Sequence, residues 1–181
     1  MGVRVVTDSA CDLPDDLIDR NGIGMVPLTI RFGNEELIDR KELSTDEFWR
    51  RLADSDVLPE TSAPSAGAFE GAFRRMVEDG ATGIICINLS SKLSATMQSA
   101  QVAAQAVQAD CPVVVIDSLM VSMGLGSLCL TAAQRAADGD SLESIVANVT
   151  DRRNRSKLYG ALDTLEQIGR ASCRERVLTD V

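Results

Sequence analysis

Three short apolar stretches, at positions 3–7, 84–88 and 113–117, constrain the fold of this 181-residue chain more than any other feature. Each is rich in Val and Ile and stops at polar or turn residues: Asp8-Ser9, Leu89-Ser90-Ser91 and Ser118. A strand covered on one face alternates apolar and polar positions. An unbroken β-branched run marks a strand buried on both faces, as in a parallel sheet. A fourth run, 25–31, is interrupted at Pro27, whose missing N–H places it at a sheet edge or a bulge.

Helical spacing fills the intervals. Ser44 or Thr45 can cap a helix over 46–53, and Ser65 one over 66–78, with Phe69, Phe73, Met76 and Val77 on one face and Gly80 at its end. The Ala- and Gln-rich segment 93–109 stops before Pro112, and 123–137 stops before Gly139. Ser141 caps 142–150, where Leu142, Ile145, Val146 and Val149 form a stripe. Strand and helix alternate. The expected fold class is therefore α/β, a mostly parallel sheet with helices on both faces, because right-handed crossovers on either side of a central strand leave helices on opposite faces.

Composition narrows the function classes. The net charge of −9 disfavours nucleic acid, whose phosphates require clustered Lys and Arg. No histidine is present, which removes a Ser-His-Asp triad, and neither a G-x-x-x-x-G-K-[ST] loop nor a G-x-S-x-G elbow occurs. Gly124-Leu125-Gly126 is not followed by a third glycine, since position 129 is Cys. The pair lies in a helical pattern and reads as close helix packing. The five cysteines are scattered without a C-x-x-C pair, which indicates a reducing compartment. With no basic segment and long apolar stretch at the start, and no run of spanning length, the expectation is a cytoplasmic protein without integral membrane association. Aromatics are only 3%, so apolar surfaces are aliphatic and suit an alkyl chain better than a stacked base.

Hydroxyls gather in two segments, Thr61-Ser62-Ala63-Pro64-Ser65 and Ser90-Ser91-Lys92-Leu93-Ser94-Ala95-Thr96, each read as a turn before a helix. Ligands of open α/β sheets sit beyond the carboxyl ends of the strands. Asp8, Ser9, Ser91, Ser94, Asp117 and Ser118 are therefore expected on one rim, with Thr61 and Ser62 able to join it. Two readings of these hydroxyls stand side by side. In one, Thr61, Ser62 and Ser94 form a cradle for an anionic oxygen group. In the other, Ser65 and Ser91 cap helices and the rest fill polar turns. Asp8 and Asp117 allow a further alternative, an enzyme acting on a small phosphorylated or carboxylated metabolite with one of them as base or metal ligand.

Four motifs then resemble the successive signatures of the DegV family: Val6-Thr7-Asp8-Ser9, Thr61-Ser62-Ala63-Pro64-Ser65, the run from Ser90 to Ala100, and that from Ile116 to Gly126. The segment from Leu158 to Glu166 resembles the opening of that family's second domain. Ala63, Ala95 and Met97 depart from the family pattern, where Gln, Gly and an aromatic are usual. The resemblance implies a carrier rather than an enzyme. Such a protein binds a long-chain fatty acid between two α/β domains, needs no cofactor or metal, and presents the acyl carboxylate to a partner kinase for phosphorylation. It also implies that Thr61 and Ser94 contact the carboxylate, with Ser62 nearby. The expected organisation is an N-terminal α/β domain over 1–157 and the start of a second domain over 158–167. A tail over 168–181 resembles the translation of a DNA-sequencing adapter and reads as non-native.

Overall fold

A computed structural model describes residues 2–55 and 57–160. Residues 161–167, most of the expected second-domain start over 158–167, and the expected non-native tail over 168–181 lie outside the described residues.

The three apolar runs form β1 (Val3–Asp8), β6 (Gly83–Asn88) and β7 (Val113–Asp117). With β2 (Gly24–Val26) they make a four-stranded sheet, order β2-β1-β6-β7, parallel throughout. Alternate side chains of these strands go to opposite faces. Val5, Ile85 and Ile87 join a core with α1 (Asp15–Arg20), α5 (Met123–Ala137) and α6 (Leu142–Arg155), represented there by Ile18, Leu125, Leu128, Ile145 and Val149. Val6, Ile84 and Cys86 pack the other way, against Phe69, Ala72 and Phe73 of α3 (Ala66–Glu78) and Ala100, Ala103 and Val107 of α4 (Thr96–Val107). The expected α/β class, with helices on both faces, is what the chain adopts.

Pro27 does more than place a strand at an edge. The 25–31 run is two strands in two sheets: β2 at the edge of the parallel sheet, then β3 (Thr29–Phe32) in a separate antiparallel sheet of order β4-β3-β5. Proline cannot donate to a ladder, so the chain changes sheet where that donor is missing. β3 turns back through Gly33-Asn34 into β4 (Glu35–Ile38), and Gly33 has φ +60°, as a two-residue hairpin requires. β5 (Glu60–Ser62) pairs with the other side of β3. Thr61 and Ser62, expected in a turn, are therefore strand residues.

Between β4 and β5 lies α2 (Thr45–Asp54), capped by Ser44, whose Oγ accepts the Glu47 N–H at 3.2 Å. None of its residues is buried. Phe48 holds it to β3, its ring centroid 6.0 Å from that of Phe32, and an Arg51–Glu35 ion pair at 2.7 Å holds it to β4.

Two helix ends differ from expectation. Residues 93–95 form a turn and bend, and α4 begins at Thr96, because Leu93 and Ser94 both donate their N–H groups to Ser90 O. α6 runs past Thr150 to Arg155. Its apolar stripe ends at Val149, but Arg152, Arg153 and Arg155 suit the negative end of a helix, and Arg153 reaches across to Asp117 O at 3.0 Å.

The glycine pair in α5 serves packing. A Cβ on Gly126 would lie 2.6 Å from Cys11 O and 2.9 Å from Leu13 Cδ2, so the helix meets the backbone after β1 with no room for a side chain. Gly126→Ala is expected to destabilise the protein by about 1–3 kcal/mol through overpacking, read as a lower urea midpoint with an unchanged slope.

Candidate ligand-binding rim

All four parallel strands end on the same side, and the order β2-β1-β6-β7 reverses direction between β1 and β6, where a doubly wound sheet opens a crevice. Asp8 ends β1 at that seam. It is fully buried, and its Oδ2 accepts the Asn88 side-chain N–H at 3.0 Å and the Leu89 backbone N–H at 2.9 Å. Its Oδ1 accepts the Ala10 N–H at 3.2 Å, which caps the short 3-10 turn over Ser9–Cys11. Burial pushes the Asp8 carboxyl above its ordinary range, against the opposing pull of these donors.

Asp117 does the same for the next seam. Its carboxylate takes the N–H and hydroxyl of Ser91 and the Leu119 N–H, the first at 3.1 Å and the last at 3.0 Å. Ser91 therefore does not cap α4; it ties the β6 loop to β7. Ser118, also fully buried, donates its N–H to Asn88 O at 3.1 Å and closes its own turn through Met120. Leu119 (φ +55°) and Ser122 (φ +55°) adopt the left-handed half of backbone space in this loop, which costs free energy in residues with a Cβ.

Ser9 links the rim to the second sheet. Its Oγ accepts the Leu28 N–H at 3.1 Å, and the Asp39 carboxyl is pushed up by burial against the opposing pull of Ser9 and Arg40. Leu28 precedes Thr29, and Thr29 pairs in register with Ser62. Thr61 and Ser62 are thus carried to the rim side by β5, both exposed, and among the described residues their hydroxyls have no hydrogen-bond partner. Ser94 lies half-buried just before α4. The structure therefore joins Asp8, Ser9, Ser91, Asp117 and Ser118 in one hydrogen-bonded rim. No hydrogen bond among the described residues ties Thr61 or Ser62 to Ser94.

Three contributors were not among the expected site residues, although Thr96 belongs to the second hydroxyl segment and Asn88 ends the 84–88 run. Asn88 closes the Asp8 seam, Asp39 feels Ser9 electrostatically, and the fully buried Thr96 sits with its Oγ1 2.9 Å from Ser94 Oγ. A polar residue ending an apolar run was the available signal for Asn88.

A groove of about 770 Å³ opens beside the rim at the end of β7, lined by Leu119, Met120, Arg153, Lys157, Leu158 and Tyr159 among others. None of Thr61, Ser62 and Ser94 lines it. Among the described residues, no group of three or more His, Cys, Asp or Glu is placed to hold a metal ion, and no helix is long and apolar enough to cross a membrane. Cys11, Cys86, Cys111 and Cys129 are free and buried, and burial pushes all four thiols up, away from the reactive thiolate.

Fold and rim together define an open doubly wound α/β domain carrying a small antiparallel sheet beside its switch point. The chain belongs to the DegV family, described as uncharacterised proteins, whose profile matches residues 2–172. It is 34% identical over 173 residues to a DegV domain-containing protein of Clostridium perfringens, covering 94% of this chain and 61% of that protein. It is 36% identical over 168 residues to one of Streptomyces coelicolor, covering 93% and 59%. Among solved structures it resembles a DegV family protein of Thermus thermophilus described for its fatty-acid binding (TM-score 0.77, 34% identity, 85% of this chain and 54% of that one). It also resembles DegV of Bacillus subtilis, a fatty-acid-binding protein (TM-score 0.80, 28% identity, 85% and 54%). The chain thus spans about three-fifths of the curated relatives and about half of the solved ones.

Asp8→Ala would leave the Leu89 and Asn88 donors buried without an acceptor, at roughly 1–3 kcal/mol each, so a markedly lower denaturation midpoint is expected. The pH dependence has a definite sign. Because the folded value is raised above the ordinary 3.8, the favourable contribution of Asp8 protonation is complete below that value and is lost as pH rises through the folded one. Urea unfolding of the wild type and Asp8→Asn across this range should show that slope in the wild type alone.

Proposed function

We propose that this chain supplies the head-group side of a fatty-acid site, in which Thr61 and Ser94 hydrogen-bond an acyl carboxylate, Ser62 lies beside them, and the acid is presented to a partner kinase that phosphorylates it. The observation that carries this reading is the likeness, at 34% identity and a TM-score of 0.77, to a DegV protein described for its fatty-acid binding. A second solved relative, from Eubacterium ventriosum, is described as a stearic-acid-binding protein (TM-score 0.75, 28% identity, 82% of this chain and 52% of that one).

The residues at the rim suit this role. Thr61 and Ser62 offer exposed hydroxyls with no partner among the described residues, and Ser94 offers a third from a turn fixed by two backbone bonds to Ser90. A hydrogen bond to an ionised carboxylate contributes about 1.5–3 kcal/mol. A dozen or so methylenes at about 0.8 kcal/mol each contribute roughly 10 kcal/mol before entropy losses. The tail therefore governs retention and the hydroxyls govern orientation.

Carrier chemistry also matches the residues available. With no histidine in the chain, a hydroxyl lacks the usual base to become a nucleophile, and the phosphoryl transfer falls to the kinase. The alternative enzyme would use Asp8 or Asp117 as base or metal ligand, yet both carboxylates are already engaged by the rim's own donors. Buried, protonated thiols suit a reducing cytoplasm.

Organic extraction of the intact protein purified from cells, followed by mass spectrometry, is expected to release about one long-chain fatty acid per molecule. A polar metabolite, or no acyl lipid, would overturn the proposal. Ser94→Ala should lose kinase-dependent acyl phosphate formation far more than fatty-acid retention, and equal loss of both would contradict the division between tail and head.

A further inference from the structure

We propose that Thr96 is a positioning residue that makes the Ser94 hydroxyl an obligate hydrogen-bond donor, so that the rim selects an ionised carboxylate over head groups that bring a proton of their own. The inference rests on the fatty-acid reading above and deepens it.

Thr96 opens α4 and is fully buried, with its Oγ1 2.9 Å from Ser94 Oγ, a pair in which either oxygen has the geometry to donate. Burial decides between them. Among the described residues the Thr96 hydroxyl has no other side-chain or backbone partner, so its proton has one acceptor, Ser94 Oγ. A buried hydroxyl proton left without an acceptor is strongly disfavoured. Ser94 Oγ also accepts the Thr96 backbone N–H at 3.3 Å. A serine oxygen has two lone pairs, and Thr96 occupies both. Only the proton of Ser94 remains to be offered, from a half-buried position on the ligand side.

The surroundings hold this arrangement in place. Ser94 N and Leu93 N both donate to Ser90 O, at 3.2 and 2.9 Å, and Ser90 N donates to Met120 O at 2.8 Å. Asp117 clamps the same turn through Ser91. A ligand oxygen that only accepts meets a fixed donor there. An ammonium group, or a hydroxyl that must place its own proton, meets an oxygen with no lone pair free.

The test uses the intact protein with palmitate and with the primary alcohol and primary amine of the same chain length. Thr96→Val keeps the shape of the side chain and removes its proton. Palmitate affinity should fall by about two- to threefold, within the small loss of retention expected of Ser94→Ala, and the preference for palmitate over the alcohol should narrow by a similar factor. Carboxyl-¹³C palmitate bound to this variant should titrate at higher pH than on the wild type, because a fixed donor favours the ionised form. Thr96→Ser should restore all three properties, and in a Ser94→Ala background Thr96→Val should add nothing. Should Thr96→Val fail to fold, Thr96→Cys, whose thiol is a weak donor, is expected to show the same losses. An unchanged palmitate affinity and ¹³C titration would overturn the inference, as would an undiminished Thr96→Val effect without Ser94. A wild-type protein that binds no palmitate sinks the fatty-acid reading and this inference together, whereas one that binds it regardless of Thr96 sinks the inference alone.

Discussion

The buried carboxylate of Asp8 is the interaction on which the rest of the structure depends. It sits where the sheet reverses direction, and its two oxygens hold three donors from both sides of the seam: Ala10 after β1, and Asn88 and Leu89 at the end of β6. A parallel sheet leaves its strand ends without partners at such a point. A buried acceptor with fixed bonds closes that gap and sets the direction in which both loops depart. Everything downstream, from the 3-10 turn over Ser9–Cys11 to the hydroxyl run after β6, takes its path from there.

The second sheet is joined to the first at Ser9 and through Arg40. Pro27 ends the ladder of β2, and Ser9 receives the first amide past it, from Leu28. Through Thr29, that link fixes the position of β5 and the two exposed hydroxyls it carries. Rim and platform are thus separate pieces of architecture held in register at Ser9 and by Arg40, which follows β4 and donates to Leu13 O at 2.6 Å and to the Asp15 carboxylate at 2.5 Å. α2 adds an ion pair and an aromatic contact, and buries nothing.

Much of this was legible in the residues, and the limits were physical. The runs at β1, β6 and β7 announced themselves because a strand buried on both faces has no polar alternation to disguise it. Ser65 and Ser141 were readable as caps because an amphipathic stripe follows each. β4 and β5 were missed: Glu35–Ile38 and Glu60–Ser62 are polar edge strands, formed by pairing with β3 rather than by any pattern of their own. The start of α4 was misplaced by three residues because the Ser90 carbonyl captures the amides of Leu93 and Ser94, a backbone event with no side-chain signature. The same holds for the rim. Asp8 and Asp117 were recognisable as strand ends, but what their carboxylates hold is set by loops that meet only in the folded chain.

The Ala-rich contact between α3 and α4 has a further consequence. Phe69 and Phe73 fill the space beneath Ala100, Ala103 and Val107, all of them sealed from solvent. That side of the sheet is committed to holding the domain together. On the proposed reading, a hydrocarbon tail anchored at Ser94 is covered elsewhere instead of threading this interior. Selection for shorter, longer or kinked acids can then act on outlying residues without disturbing the cooperativity of folding, which leaves such a scaffold free to diversify in lipid preference while its architecture stays constant.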